Sequence, residues 1–465
     1  MVADIATRPP ALPHPPRRVP FIGDVVGVHA STPVQDSIAL AETLGPIFER
    51  VVMGRQFVIV AGADLAGELC DENRFVKHVA PAVEGLRSVG GDGLFTAYSH
   101  EPNWRKAHDL LRPAFTASAM RSYHDIMVSV ASELVTRWQS RSTVDVSADM
   151  TKLTLETIGR TGFSYTFDSF TREKPHPFVD AMVGVLSHNQ RRELFPIPWL
   201  ANVVYRRADR KNDKNQRYLA EILDDIIRTR RDEETGSTPG LTDLLDIMLD
   251  AARDTDNPNA LSEINIRHQI LTFLIAGHET TSGALSFALY YLAHNPDIMA
   301  AARAEVDEVW GSESPTFQQV PKLRLVRRIL DEALRLWPTA PAFAREARED
   351  TVIGGNYEMK KGDWALVLIP GLHRDPVWGE DTDRFDPDRF LSANVRARPG
   401  HVYKPWGTGE RACIGRQFAI HEAVLVLGTI LQRFEFRADP AYQLKIEERL
   451  TLMPKNFELQ ISVRQ

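Results

Sequence analysis

Cysteine is almost absent: two in 465 residues, Cys70 and Cys413, so no disulfide framework is possible and a reducing compartment is expected. No apolar stretch runs uninterrupted for the ~18 residues a transmembrane helix requires. The N-terminal "MVADIATRPPALPHPPRRVPFIGDVV" lacks the apolar core of a signal peptide, and its prolines suggest an extended strap. The expected location is therefore the cytoplasm. A net charge of −7 supplies no global basic field, which argues against a nucleic-acid partner. With 43% hydrophobic and 25% charged residues the chain is neither disordered nor fibrous.

No repeat and no clean linker divides the chain, so a single unit over 1–465 is expected. Residues 47–60, "IFERVVMGRQFVIV", alternate like a hairpin turning near Gly54, and "ADLAGELCDE" reads as a short helix. Helical spacing recurs over 125–139, 151–162 and 216–230, and in "VRRILDEALRLW" and "QFAIHEAVLVLGTILQRF". Polar loops are expected at 230–240 and 254–263, the second ending in a helix cap. A nearly all-apolar helix follows from about Ile264 to His294, as suits the centre of a large protein. "DTVIGGNYEMKKGDWALVLIP" gives short strands with glycine turns. The fold class expected is mainly α with minor β.

The rare cysteines differ in setting. Cys70 on an apolar helix reads as inert core. Cys413 lies in "KPWGTGERACIGRQFAIHEA", behind closely spaced glycines and just before a helix start. Gly407 and Gly409 are placed for a turn with positive φ, and Gly415 removes a side chain where a flat ligand could approach. A helix N-terminus favours a thiolate, which is then a nucleophile or a metal ligand. Without a second cysteine or a close histidine, zinc is poorly served, whereas a single axial thiolate suits haem iron.

The ten residues Trp406–Gly415 resemble the haem-binding loop of the cytochrome P-450 superfamily, F-G-x-G-x-R-x-C-x-G, departing only at Trp406. The resemblance implies heme b with Cys413 as axial iron ligand, Arg411 on a propionate, and the haem between the long central helix and the helix after the cysteine. Trp406 would bring an indole N–H near the thiolate, where a hydrogen bond would reduce electron donation to iron.

Three further motifs follow the family order. "AGHETTS", 276–282, puts polar residues into the apolar helix, where they cost free energy without partners or a role. Gly277 and Thr280 are three apart, on one face, and a threonine hydroxyl can bond back to a carbonyl and open a notch. By resemblance Thr280 and Glu279 form an acid–alcohol pair delivering protons, and Ala276 lies against the haem. Glu332 and Arg335 match E-x-x-R and, with Arg389 of "FDPDRF", would form a buried ionic triad. Trp104 and His108, an i,i+4 pair, would contact a propionate, with Lys77 adding a contact.

The wording is most similar to bacterial fatty-acid hydroxylases whose haem domain is fused to a diflavin reductase. That similarity places Phe95 over the haem face and Val83, Leu86, Ala276, Ala340 and Leu450 around an apolar pocket. Arg55 matches the arginine that holds the substrate carboxylate. The accompanying tyrosine position is Ile59, and Arg50 replaces an aromatic nearby. The segment 191–207, "RRELFPIPWLANVVYRR", reads as an apolar portal flanked by arginines. The chain stops where the haem domain should end, with no flavin domain. The reading is a haem-thiolate monooxygenase inserting one oxygen atom of O2 into a C–H bond of an apolar small molecule, fatty acids first. Its electrons come from NAD(P)H through an FAD/FMN reductase, fused or separate, or a ferredoxin. The alternatives are a bulkier terpenoid or polyketide substrate, a peroxide-driven peroxygenase, and a non-catalytic haem sensor.

Overall fold

The computed structural model describes residues 11–24, 26, 29, 31–193, 203–233, 242–254 and 256–465. Most of the expected portal, 194–202, and most of the 230–240 loop lie outside the described residues. The chain forms two compact units and crosses between them several times: residues 1–80, 341–384 and 393–412 make the first, and 81–340, 385–392 and 413–465 the second.

The first unit is built on a five-stranded sheet. Ile47–Val52 and Arg55–Val60 form the expected hairpin, turning through Met53 at φ 51° and Gly54 at φ 77°. Two successive left-handed residues give the turn whose twist matches the strands it joins. Arg55–Val60 runs parallel to Trp364–Leu368, which pairs antiparallel with Ala342–Ala347 and through it with Phe75–His78. Helix Pro33–Leu44 covers one face, packing Val34, Ile38 and Ala41 on buried Phe48, Ile59 and Leu368. Each such side chain buried contributes about 1.5–3 kcal/mol. The expected glycine-turned ribbon is present as Thr351–Ile353 against Tyr357–Met359.

The second unit is helical, around the expected central helix Glu263–His294. Ser262 caps it, accepting a hydrogen bond from the Asn265 amide. On it pack Val146–Phe163, Arg324–Leu336 and Arg416–Arg433. Val146–Phe163 shows almost no face to water; its threonines satisfy themselves inside, Thr154 donating to the His278 carbonyl at 2.9 Å. Close approach is allowed by glycine: a Cβ at Gly283 would meet the Leu452 carbonyl oxygen at 2.7 Å and Thr339 at 2.8 Å. A three-stranded sheet, Thr143–Asp145, Glu458–Val463 and Phe434–Ala438, flanks the helices. Ribbon Ile446–Glu448/Leu452–Pro454 sends its second strand against the central helix. Among the described residues no helix is long and apolar enough to cross a membrane.

Candidate active site

The cysteine loop ends the first unit. Gly407 and Gly409 have φ of 73° and 63°, as expected of the turn. At Gly409 a side chain would also collide with Glu72, whose carboxylate accepts from the Glu410 amide at 3.0 Å. Arg411 closes the short turn Gly409–Arg411, half-buried. The Trp406 indole nitrogen is buried and finds no acceptor among the described residues.

Cys413 opens the last segment of the second unit. Burial pushes its thiol up to about 11, with the Gly415 amide and Arg416 pulling weakly the other way. The helix start only partly offsets the effect of burial on this thiol. The residue is nonetheless exposed by accessible surface. Around Gly415 the nearest atoms to a notional Cβ are Phe115 at 3.9 Å and the Cys413 sulfur at 4.0 Å, so no protein contact demands glycine there.

The central helix has the complementary anomaly. Ala276 is exposed and Thr280 half-buried, although Phe273–Ile275, His278 and Glu279 are buried. Phe115 stacks on Phe273 with centroids 5.8 Å apart, joining the cysteine side to this face. The Thr280 hydroxyl donates to the Ala276 carbonyl at 2.7 Å. The helix stays unbroken, so the open notch is absent. Gly277 does not share the open face: it is turned to Ile158, 3.0 Å from its notional Cβ. The face consists of Ala276 and Thr280, four apart.

Glu279 is fully enclosed. Burial raises its carboxyl to about 7 against the opposing pull of Arg449 and Thr451, and the Thr451 hydroxyl lies 3.3 Å from Oε2. The other oxygen finds no hydrogen-bond partner among the described residues. His278 is equally buried, bonds the Leu274 carbonyl through Nδ1, and is pulled down by burial to about 4, so it is neutral.

The expected triad is assembled. Arg335 grips Glu332 with Nε at 2.7 Å and Nη2 at 2.8 Å, Arg389 lies 3.6 Å away, and the Asp386 amide donates to the same carboxylate at 2.9 Å. This pins the 385–391 segment to helix Arg324–Leu336. Trp104, buried, stacks on His108 with centroids 5.0 Å apart. Phe95 is exposed beside buried Thr96 and Ala97; Leu86 is buried, Val83 and Leu450 half-buried, and Ala340 exposed.

In the first unit the expected residues are not gathered. Arg55 sits exposed at the hairpin end, and Lys77 lies on the sheet's edge strand opposite Arg345. Ile59 is core, and Arg50 is buried with its Nη1 donating to the Ser37 hydroxyl at 3.1 Å.

Residues 13–461 match the family model described as Cytochrome P450. The chain belongs to the cytochrome P450 family. Its similarity to the bifunctional cytochrome P450/NADPH--P450 reductase of Bacillus cereus is 45% identity over 98% of this chain and 42% of the relative. A Bacillus subtilis protein of the same description is 44% identical over 95% of the chain and 41% of the relative. A self-sufficient cytochrome P450 monooxygenase of Phanerodontia chrysosporium is 40% identical over 96% of the chain and 42% of its own length. The chain thus spans about two-fifths of these relatives. The cytochrome P450 family is one of haem oxidoreductases, and the residues fit the group. Within the second unit, Cys413 offers a lone exposed sulfur, Gly415 is open, and Ala276 and Thr280 leave bare a patch beside buried Phe273–Ile275, His278 and Glu279.

Proposed function

We propose that this chain is the haem part of a cytoplasmic monooxygenase that inserts one oxygen atom of O2 into a C–H bond of an apolar substrate. Electrons would come from NADPH through an FAD/FMN reductase, the partner named in the Bacillus relatives. The observation that carries this reading is the paired opening of Cys413 and of the Ala276–Thr280 face within one unit. Cys413 would hold the iron, and Arg411, Trp104, His108 and Lys77 would meet the propionates. A thiolate-bound haem supplies the activation of dioxygen. The protein's own part is proton supply and shape. Glu279, with an acidity near neutral, holds a proton at working pH and can release it. Thr280 keeps its donor on the Ala276 carbonyl, leaving its oxygen to accept and orient a small ligand. Phe95, Val83, Leu86, Ala340 and Leu450 would exclude water around the substrate.

Fatty acids are the leading substrates, with exposed Arg55 to meet the carboxylate. A second reading, a bulkier apolar molecule without a carboxylate, is favoured by the burial of Ile59 and Arg50, which leaves that anchor without its tyrosine. A spin-shift titration decides between them: dodecanoic to octadecanoic acids should convert the iron to high spin. Failure of these acids while terpenoid or polyketide ligands succeed transfers the assignment to the second reading. Peroxide-driven turnover that survives Thr280→Ala, with none from reductase and NADPH, would replace the monooxygenase by a peroxygenase. Binding of CO or NO with neither spin shift nor product would indicate a sensor.

A further inference from the structure

Residues 81–101 carry Val83, Leu86 and Phe95, yet they contain only two single-turn helices, Pro81–Glu84 and Arg87–Gly90. The Thr96 and Ala97 amides donate to the Gly93 carbonyl at 3.1 and 2.8 Å, closing a turn around Phe95. Side chains, one carboxylate among them, add a second set of restraints. Asp92 Oδ1 accepts from Asn265 Nδ2 at 2.8 Å and from His268 Nδ1 at 3.0 Å, while Oδ2 accepts from Asn103 Nδ2 at 2.6 Å. Two residues on, the Leu94 amide donates to Gln269 Oε1 at 3.0 Å, and Gln269 Nε2 donates to Asn265 Oδ1 at 2.9 Å. Asn265, His268 and Gln269 stand at i, i+3 and i+4, one face of the central helix. Asn265 is 1% and Gln269 0% exposed, so these bonds are made away from competing water.

The loop also lies flush on that helix. Any side chain at Gly91 would overlap the His268 ring, and any at Gly93 would overlap the Thr272 hydroxyl. On the far side of Phe95, the Thr96 hydroxyl donates to the Gly91 carbonyl at 2.8 Å, and Arg87 donates to the Thr96 carbonyl at 2.8 Å while bridging to Glu101. Phe95 therefore lies between two residues, Leu94 and Thr96, that are each held by hydrogen bonds.

We propose that Asp92 and Gln269 are positioning residues that fix Phe95 and thereby set how closely, and at which carbon, an apolar substrate approaches the reacting space. This rests on the placement of Phe95 proposed above. A purely structural role would weaken folding but would act equally with or without the phenyl ring.

The test is a double-mutant cycle on the full haem-loaded chain. Asp92→Asn and Gln269→Leu are each made alone and combined with Phe95→Ala, with Gln269→Glu retained as the variant that keeps an acceptor for the Leu94 amide. The probe is phenylimidazole, followed by its Soret shift, together with the infrared C–O stretch of the reduced CO form. Asp92→Asn and Gln269→Leu should each change the phenylimidazole Kd by about threefold or more with Phe95 present, and by less than about 1.5-fold in the Phe95→Ala background. Gln269→Glu should restore the C–O stretch. Equal changes in both backgrounds, or none in either, overturn the proposal while Phe95→Ala itself still shifts both signals. If Phe95→Ala shifts neither, Phe95 is not in the pocket, and the placement above falls with this proposal.

Discussion

The Thr451 hydroxyl lies 3.3 Å from Glu279 Oε2, across 172 residues of sequence and inside a region closed to water. Among the described residues it is the one hydrogen-bond partner of a carboxyl whose pKa burial raises to about 7. As a donor it favours the ionised form, so its loss moves the pKa further up.

Two outcomes follow for turnover. Glu279→Gln should lower substrate oxidation about a hundredfold, the scale of a lost general acid. Thr451→Val should keep activity but shift to higher pH the alkaline fall of the rate, which in the native protein is expected near pH 7. A pH–rate profile of both variants checks this; an unmoved alkaline limb would separate Glu279 from proton supply.

Breaking the triad should be costly because it strands a charge. Arg335→Leu leaves buried Glu332 with only the more distant Arg389 and the Asp386 amide, and should lose about 3–5 kcal/mol. Arg389→Ala, removing the more distant and less buried guanidinium, should lose about 1 kcal/mol. Urea unfolding midpoints of the two proteins provide the comparison.

Cys413→His should retain the fold and bind haem, but its reduced CO form should lose the red-shifted Soret band of thiolate ligation. Absorption spectroscopy reads this directly. A band unchanged from the native protein would remove Cys413 as the ligand.

Glu422 sits at 1% exposure on helix Arg416–Arg433, its oxygens without a well-formed hydrogen bond, and burial pushes its carboxyl from an ordinary 4.5 up to about 8. Thr157, whose hydroxyl donates to the Leu153 carbonyl, compensates only weakly. A raised native pKa means that, as pH rises, the unfolded chain releases its proton first. Between about pH 4.5 and 8 the native state then loses stability with rising pH through this group. Glu422→Gln should flatten that decline, gaining a few kcal/mol at pH 8 and nothing at pH 4. Denaturant melts across pH test the slope.

Much of the fold is legible because its signals are local. The glycines at 407 and 409 announce their φ, the apolar run at 264–294 its central place, and Glu332 and Arg335 their shared face. What stays hidden depends on tertiary contact. Thr451 reads as an ordinary polar residue after a turn, and only the ribbon's approach to the central helix makes it a partner of Glu279. Asp92 stands between two glycines like a loop carboxylate, and its three donors come from two helices. Glu422 looks like a solvated position on an amphipathic helix, but that helix is wrapped on nearly every side. Gly277 was placed with Thr280 by spacing alone, whereas rotation about the helix turns it to Ile158 and gives the open face to Ala276.

Helix Val146–Phe163, enclosed from Asp149 to Gly159 and again from Thr161, holds no reacting group. Yet its buried positions are closely fitted, Thr154 to a carbonyl of the central helix, Gly159 to Tyr165 and Phe167, and Glu156 to Arg160, Thr166 and Ser169. A library of every single substitution would therefore record, over Asp149–Thr161, a band of intolerance as dense as that around Cys413. Ranking positions by such intolerance alone would mistake this scaffold for a second active site.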